Sequence, residues 1–371
     1  MDMTTPAIAA HLTVIVYSHP DEFPQAVQQL FAEAALTNVE SGAHWYRNLV
    51  NTVFQGEDAV HFYVLLDDNR PVAALPLLVK KGELGNTVEA LSNYYTSLYA
   101  PLLAEHADVQ RIAHLVDAIK VAHAPVTSMR FAPMDPESNG YKSLFAAFEN
   151  SGLVPHKFFS FGNWYQPVKD DWLTYLGNRE GTVRSTIKRM GKKFAANGGK
   201  LELICGGADL ERGIVAYKHV YGLSWKKAEP YPDFVPGLIR TCAEQGLLRL
   251  GVAWLDEKPI AAQIWIVAHN KANIYKLAYD ESFKASAPGT LLTAMLMEHA
   301  IDVDKVKEID YLIGDDPYKA AWMSQRRERW GIIAYNPKAI GGLIGFGKET
   351  AGRWLKPIVN RIKKRFSNTA S

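Results

Sequence analysis

Cysteine is scarce in this chain. Cys205 and Cys242 are the two in 371 residues, which excludes a disulfide framework and a cysteine-rich zinc site. Cys205 ends an apolar run (LELIC) and Cys242 lies in a helical one, so both read as buried, inert thiols. The eleven histidines are scattered, with no HExxH or paired-ligand spacing, and no metal is expected. No apolar run reaches the roughly 18 residues that a membrane helix needs. The acidic Asp2, with His11 and His19 flanking a short LTVIVY strand, is unlike a signal peptide. The cytoplasm is the expected compartment. An excess of charge is missing too: the net charge is +2, so the whole molecule is not a polyelectrolyte binder.

What is present begins with ordinary globular composition, 48% hydrophobic and 22% charged. The length suggests two domains of common size. A repeat says the same. Residues Tyr63 to Val79 read YVLLDDNRPVAALPLLV, and Gly251 to Val267 read GVAWLDEKPIAAQIWIV. At one constant offset Leu66 meets Trp254, Asp68 meets Asp256, Pro71 meets Pro259, Ala73 meets Ala261 and Ala74 meets Ala262. Each copy is an apolar strand, a tight polar turn and a second apolar strand. Two related domains explain a repeat this widely spaced better than a solenoid does.

The order of elements is mixed α/β in both halves. In the first, strand LTVIVY precedes helices over Pro24 to Ala35 and His44 to Phe54. The hairpin, a helix over Val109 to Ala122, strand VTSMRFAPM, a helix over Tyr141 to Asn150 and the aromatic stretch HKFFSFGNWYQPV follow. Trp172 to Ala196 is helical and basic, with Arg179, Arg184, Lys188, Arg189, Lys192 and Lys193, and stops at Asn197-Gly198-Gly199. It reads as a solvated linker or as an anion-facing patch. In the second half, strand Leu201 to Cys205 leads to a helix capped by Asp209 and a second helix over Pro236 to Gln245. Then come a three-stranded meander from Leu247 to Ala278, a helix over Gly289 to Val303, a strand over Glu308 to Ile313, a helix over Pro317 to Arg326 and strand GIIAY. The boundaries expected are 1–168, a linker at 169–199, 200–338 and a tail at 339–371. In the tail, Trp354, Leu355, Ile358, Ile362 and Phe366 interleave with basic residues. That pattern fits docking on the protein itself or on the anionic inner face of a membrane.

Chemistry concentrates in the second half. Lys276 sits mid-strand, where a lysine is costly unless it faces a cleft or pairs with Asp280 or Asp310. After that strand the chain turns on Pro288 and Gly289 into a helix, whose free N–H groups and dipole suit phosphate. Asp315 or Asp316 can cap the helix that begins at Pro317. Trp322 and Trp330 read as core.

The series SWK, K-x-A-Y-D-E, S-x-P-G-T-x-L and G-D-D-x-Y-K-x-x-W-x-x-x-R-R, in this order, resembles the GNAT-like acyltransferases of the CelD type, found near bacterial polysaccharide-biosynthesis functions. These are similar to Fem-type aminoacyltransferases, which carry two GNAT-like domains. The resemblance implies two tandem GNAT-like domains, each a mostly antiparallel twisted sheet flanked by helices, the first one degenerate. It implies transfer of an acyl group from acyl-CoA, acetyl-CoA foremost, to an amine or hydroxyl of an envelope, polysaccharide-related or small acceptor. The family's lysine falls on Lys276, its SPG turn on Ser286 to Gly289 and its G-D-D-x-Y-K run on Gly314 to Lys319. The usual GNAT loop, Q/R-x-x-G-x-G/A, is here Lys284-Ala285-Ser286-Ala287-Pro288-Gly289, with a single glycine.

The mechanism expected is direct attack in a ternary complex. A splayed strand near Lys276 to Ala278 offers an N–H to the thioester oxygen, with Lys276 adding charge. Asp280 or Asp315 takes the acceptor's proton, and Tyr318 protonates the leaving thiolate. Ala278, Ser286, Ala287, Gly289 and Thr290 hold acyl-CoA. Trp225, Lys226 and Lys319 bind the acceptor, with Tyr94 and Tyr95 as a wall of its cleft. Two alternatives stand beside this one. Aminoacyl transfer from a charged tRNA to a peptidoglycan precursor would put nucleic acid against the basic helix, although that helix lacks interleaved aromatics. A non-catalytic assembly factor at the membrane surface would use a decayed cleft for binding.

Overall fold

The computed structural model describes residues 11–56 and 59–349. Residues 340–349 are helical, and the basic amphipathic part of the expected tail lies outside the described residues. In chain order the elements are β1 (Leu12–Tyr17), α1 (Gln25–Ala35), α2 (Ala43–Thr52), β2 (Val60–Asp67), β3 (Arg70–Lys80), β4 (Asn86–Ala90) and β5 (Leu102–Leu103). Next are α3 (Val109–Ala122), β6 (Val126–Met134), α4 (Asn139–Asn150), β7 (Val154–Pro167), α5 (Trp172–Gly177) and α6 (Gly181–Ala196). The remainder are β8 (Lys200–Ile204), α7 (Leu210–Gly222), α8 (Phe234–Glu244), β9 (Leu248–Leu255), β10 (Lys258–Ala268), β11 (Lys271–Tyr279), α9 (Pro288–Glu298), β12 (Glu308–Asp310), α10 (Pro317–Ala320) and β13 (Gln325–Tyr335).

Two compact units result. The second is Ala32–Gly56 with Phe161–Arg329, and the other described residues form the first. In the first unit β1, β2, β3 and β4 pair antiparallel in that order, β4 pairs parallel with β6, and β6 pairs antiparallel with the Trp330–Tyr335 part of β13. The second unit repeats the pattern. There β8, β9, β10 and β11 pair antiparallel, β11 pairs parallel with β12, and β12 pairs antiparallel with the end of β7. Each sheet buries one face under helices. In the first unit Ile112, Leu115 and Val116 of α3 and Leu144 and Phe148 of α4 share a core with Leu75, Val88 and Phe131. In the second, Met190 and Phe194 of α6 and Leu292 and Leu296 of α9 share one with Trp265 and Ile274. Each such side chain contributes about 1.5–3 kcal/mol by leaving water.

The repeated hairpins match in detail. Both turn on two residues of positive φ, Asp68 and Asn69 (47° and 65°) and Asp256 and Glu257 (49° and 60°), the geometry that matches strand twist in two-residue hairpins. Both also carry a bulge at the same place, beside Val72 in one and Ile260 in the other.

The fourth strand is where the units part. Ala261 and Ala262 of β10 pair with Tyr279 and Ala278 of the long β11. Their counterparts Ala73 and Ala74 pair with Leu103 and Leu102 of β5. In the first unit the chain leaves the sheet after Ala90 and rejoins β3 for two residues only, Leu102 and Leu103, so no described strand there corresponds to the segment that holds Lys276. Tyr95 and Tyr99 of this excursion are buried, and the Tyr99 hydroxyl donates to Pro76 O at 3.2 Å. Expected to line a cleft, Tyr95 is a core residue instead, because large aromatics on a returning loop fill the space the strand vacates. Tyr94 is exposed and stands edge-on to it.

Other expectations are corrected locally. The helix expected over Trp172 to Ala196 is two helices, with Asn178 closing α5 and Glu180 opening α6. Nor is α6 a linker: Met190 and Phe194 lie in the second unit's core. The strand expected over Glu308 to Ile313 ends at Asp310, because the Asp310 carboxylate accepts Leu312 N–H at 2.7 Å and Leu312 turns at φ 52°. The helix expected over Pro317 to Arg326 ends at Ala320. Arg326 and Arg327 belong to β13, where they pair with Asp315 and with Glu308 and Asp310. Asp209 opens α7 without a side-chain cap and pairs with Arg212. Trp322 is core as expected, and Cys242 is buried, but Cys205 falls just past β8 and is exposed.

Candidate active site

The site is built on β11. This strand pairs with β12 only over Lys271, Ala272 and Asn273, so its edge from Ile274 to Tyr279 has no strand partner on that side among the described residues. The same stretch carries a bulge at Tyr275, where Ile264 pairs with Lys276 and Trp265 with Ile274. A bulge next to an open edge re-aims backbone groups out of the ladder. Backbone N–H groups on an edge without a strand neighbour can meet a bound carbonyl. By contrast, β4 pairs with β6 over most of its length.

The loop between α7 and α8, residues 223–233, lies on this open half of β11. Lys276 Nζ donates to Glu229 Oε1 at 2.9 Å, and both side chains are 10% exposed. The pair expected with Asp280 or Asp310 does not form; an acid from the loop takes that place. Trp225 packs on Tyr279 with ring centroids 4.8 Å apart and remains about half exposed. The Lys226 and Lys276 ammonium groups each stand 5.9 Å from the centre of the buried Tyr221 ring. Burial and the neighbouring Lys276 charge push the Lys226 pKa down to about 8, against the pull of Glu229. Lys226 therefore changes charge near neutral pH, which few side chains do.

Below the open edge, α9 begins. Asp280 starts a 3-10 turn over Glu281–Ser286 and accepts from Ser282 N–H and Oγ–H at 2.9 and 2.7 Å. Expected as a base, it caps this turn through Oδ1, which takes both bonds. Ala287 takes a left-handed conformation (φ 50°), Pro288 starts the helix one residue before expectation, and no side chain caps it. The N–H groups of Gly289 and Thr290 are the helix's open donors. The first turn is pinned from β10: Gln263 Nε2 donates to Gly289 O at 3.0 Å and to Thr293 Oγ1 at 2.7 Å. Thr293 Oγ1 also donates to Gly289 O at 2.9 Å.

The Gly-Asp-Asp-Pro-Tyr-Lys run is mostly structural. Asp315 makes a forked pair with Arg326, with contacts of 3.0, 2.9 and 2.7 Å, which holds its carboxyl below the usual range. A carboxylate so stabilised is a weak base, which corrects the role expected for it. Asp316 opens α10 without a side-chain cap bond. Lys319 is buried, and its ammonium donates to Ile313 O and Gly314 O at 2.5 and 3.2 Å beside Asp316 at 3.3 Å. Its three donors are used within the protein, so the contact with acceptor expected of it is replaced by holding the 313–316 loop. Tyr318 is half exposed and edge-on to Tyr311, and burial and Asp316 raise its pKa. Asp310 is buried among Lys271 at 2.8 Å, Arg327 and Asn163. Burial alone would raise its pKa, but the two cations outweigh that and hold it low.

Residues 181–320 match the acetyltransferase (GNAT) domain. The matched span runs from the start of α6 to the end of α10, so the match takes in the open strand, the α7–α8 loop and the α9 start. No curated protein matches the sequence. Among solved structures, the fold resembles the C-terminal domain of a protein described as a lysylphosphatidylglycerol synthetase from Agrobacterium fabrum (14% identity, 86% of this chain and 94% of that chain, TM-score 0.51). It also resembles FemX (11%, 74% and 87%, 0.52) and L-PGS from Bacillus licheniformis (12%, 85% and 93%, 0.52). At these identities the likeness shows the fold alone. Among the described residues, no helix is long and apolar enough to cross a membrane.

One residue of the site, Gln263, was not singled out in the sequence, although it had a signal, since it stands where the other hairpin has Leu75. Glu229 stands out in the sequence beside the Tyr221–Lys227 stretch, but its pairing with Lys276 had no signal, because the two lie far apart in the chain.

Proposed function

We propose that the second unit transfers an acyl group from acyl-CoA to an amine or hydroxyl of an acceptor that carries a negative charge. The observation that carries this reading is the bulged half of β11, which pairs with β10 but has no strand on its other side among the described residues, lying between an uncapped helix start and a loop of aromatic and basic side chains. The GNAT match over residues 181–320 supports the reaction class. The donor's phosphates sit at the Gly289 and Thr290 N–H groups, and a β11 N–H from the open edge takes the thioester oxygen as charge develops.

Neutral Lys226 accepts the acceptor's proton as its nitrogen or oxygen bonds the acyl carbon, the carbon–sulfur bond breaks, and Tyr318 protonates the thiolate. The raised pKa of Tyr318 means that it is protonated in the resting site. Lys276, locked to Glu229, positions the 223–233 loop and lends positive charge, while Trp225 stacks on the acceptor. An envelope or polysaccharide-related acceptor fits the positive, aromatic lining. Calorimetric titration with acetyl-CoA tests the donor: one saturable site in the full chain is expected, and no binding of any acyl-CoA overturns the reading.

A tRNA-borne donor is the second reading. It is favoured by α6, on which Arg184, Lys188, Arg189, Lys192 and Lys193 are exposed in a helix without an acidic residue. Retention of the protein on charged tRNA, abolished by reversing Lys188 and Lys192, would choose it.

A further inference from the structure

A cavity of about 230 Å³ opens in the second unit at the end of β7, near the paired and not the open half of β11. Gln166, Lys169, Asp170, Tyr175 and Arg179 line it. Arg179 lies across the Tyr175 ring, 4.8 Å from its centre, and its Nη1 donates to Trp322 O at 3.2 Å and more weakly to Gln166 Oε1 at 3.4 Å. That oxygen also accepts Ser324 N–H at 3.1 Å. Nη1 is therefore the committed nitrogen. Nε is buried without an acceptor, and Nη2 has none among the described residues, so Nη2 is the guanidinium nitrogen left to meet an anion. Lys169 is exposed at the same cavity and has no ion-pair partner among the described residues. Two cations against the single carboxylate of Asp170 leave the lining net positive.

We propose that this cavity is a second ligand site, for a small oxyanion bearing a carboxylate or phosphate group, held by Arg179 and Lys169. It is separate from the acyl-transfer reading and needs none of its residues. The volume suits a group of phosphate or small carboxylate size. Occupancy would bear on α10, because the Trp322 carbonyl that Arg179 holds also accepts Tyr175 Oη–H at 2.6 Å and lies about one helical turn beyond Tyr318.

Calorimetry of the full chain at fixed ionic strength tests it, with inorganic phosphate, acetate and citrate titrated in turn. One saturable site is expected, weakened about tenfold or more by Arg179→Gln and severalfold by Lys169→Glu, and unmoved by Lys226→Gln. Lys169 is exposed, so its reversal leaves the fold intact and decides the matter if Arg179→Gln fails to fold. Whichever anion binds tighter identifies the phosphate or the carboxylate source. Absence of saturable binding by all three anions overturns the proposal. So does binding that survives both cavity variants or is lost with Lys226→Gln.

Discussion

Glu229 meets Lys276 at 2.9 Å with both side chains nearly buried, and this contact, together with Trp225 on Tyr279, fastens the 223–233 loop onto the open half of β11. Breaking such a pair from one side leaves a charge buried alone, which costs about 3–5 kcal/mol. Replacing both partners by apolar residues of similar size removes the charges together and is close to neutral. Glu229→Gln should therefore lower urea-denaturation stability clearly, whereas Lys276→Met with Glu229→Leu should recover most of it and still lack activity. Equal stability of the Gln variant and the wild type would show that the pair does not hold the loop.

Lys226 makes the rate depend on pH in a defined direction. Its folded pKa, about 8, lies below the ordinary lysine value. As a base it works when neutral, so kcat/KM should rise through about pH 8 and level off above it, and Lys226→Gln should abolish that rise. Linkage has the same sign. The unfolded chain binds the extra proton between about pH 8 and the ordinary lysine pKa, so the stability contribution of this group increases with pH across that window. A pH–rate profile unchanged by Lys226→Gln would remove Lys226 from proton transfer.

Much of the fold was legible because periodicity and turn chemistry are local. The helix over Val109 to Ala122 and strand VTSMRFAPM fall where the sequence puts them, and the two hairpins share even their bulge. What was illegible is set by contacts between distant residues. Asp310 ends its strand by bonding Leu312 N–H, and Arg326 is drawn into β13 by Asp315. In the site, Lys276 and the turn before α9 stand out as chemically odd residues on a regular element. The roles of Asp280, Asp315 and Lys319 could not be read, because each depends on partners that only the folded loop supplies.

Gln263 ties the two halves of the donor region together. It donates to Gly289 O and Thr293 Oγ1 and accepts from Trp265 Nε1–H at 3.0 Å, in a buried setting. Gln263→Leu, which installs the residue of the first hairpin, leaves the indole N–H without its acceptor and frees the start of α9. The expected loss is about 1–3 kcal/mol of stability, with weaker acetyl-CoA binding as the first turn loosens. Chemical denaturation and calorimetry on the same variant separate the two effects. Undiminished affinity would mean that the α9 start is held well enough without Gln263.

Thr290 allows a test in which folding and binding move in opposite directions. It sits in the first turn of α9, partly exposed, where an acidic side chain interacts favourably with the helix dipole by about 0.3–1 kcal/mol. Thr290→Glu should therefore keep or slightly raise Tm. The same carboxylate faces the phosphates of a donor bound at the Gly289 and Thr290 N–H groups, so the apparent Kd for acetyl-CoA should rise by about tenfold or more, a cost of roughly 1.4 kcal/mol. The effect should shrink as salt screens the repulsion. A variant with unchanged Tm and unchanged Kd would place the donor's phosphates elsewhere than at the start of α9.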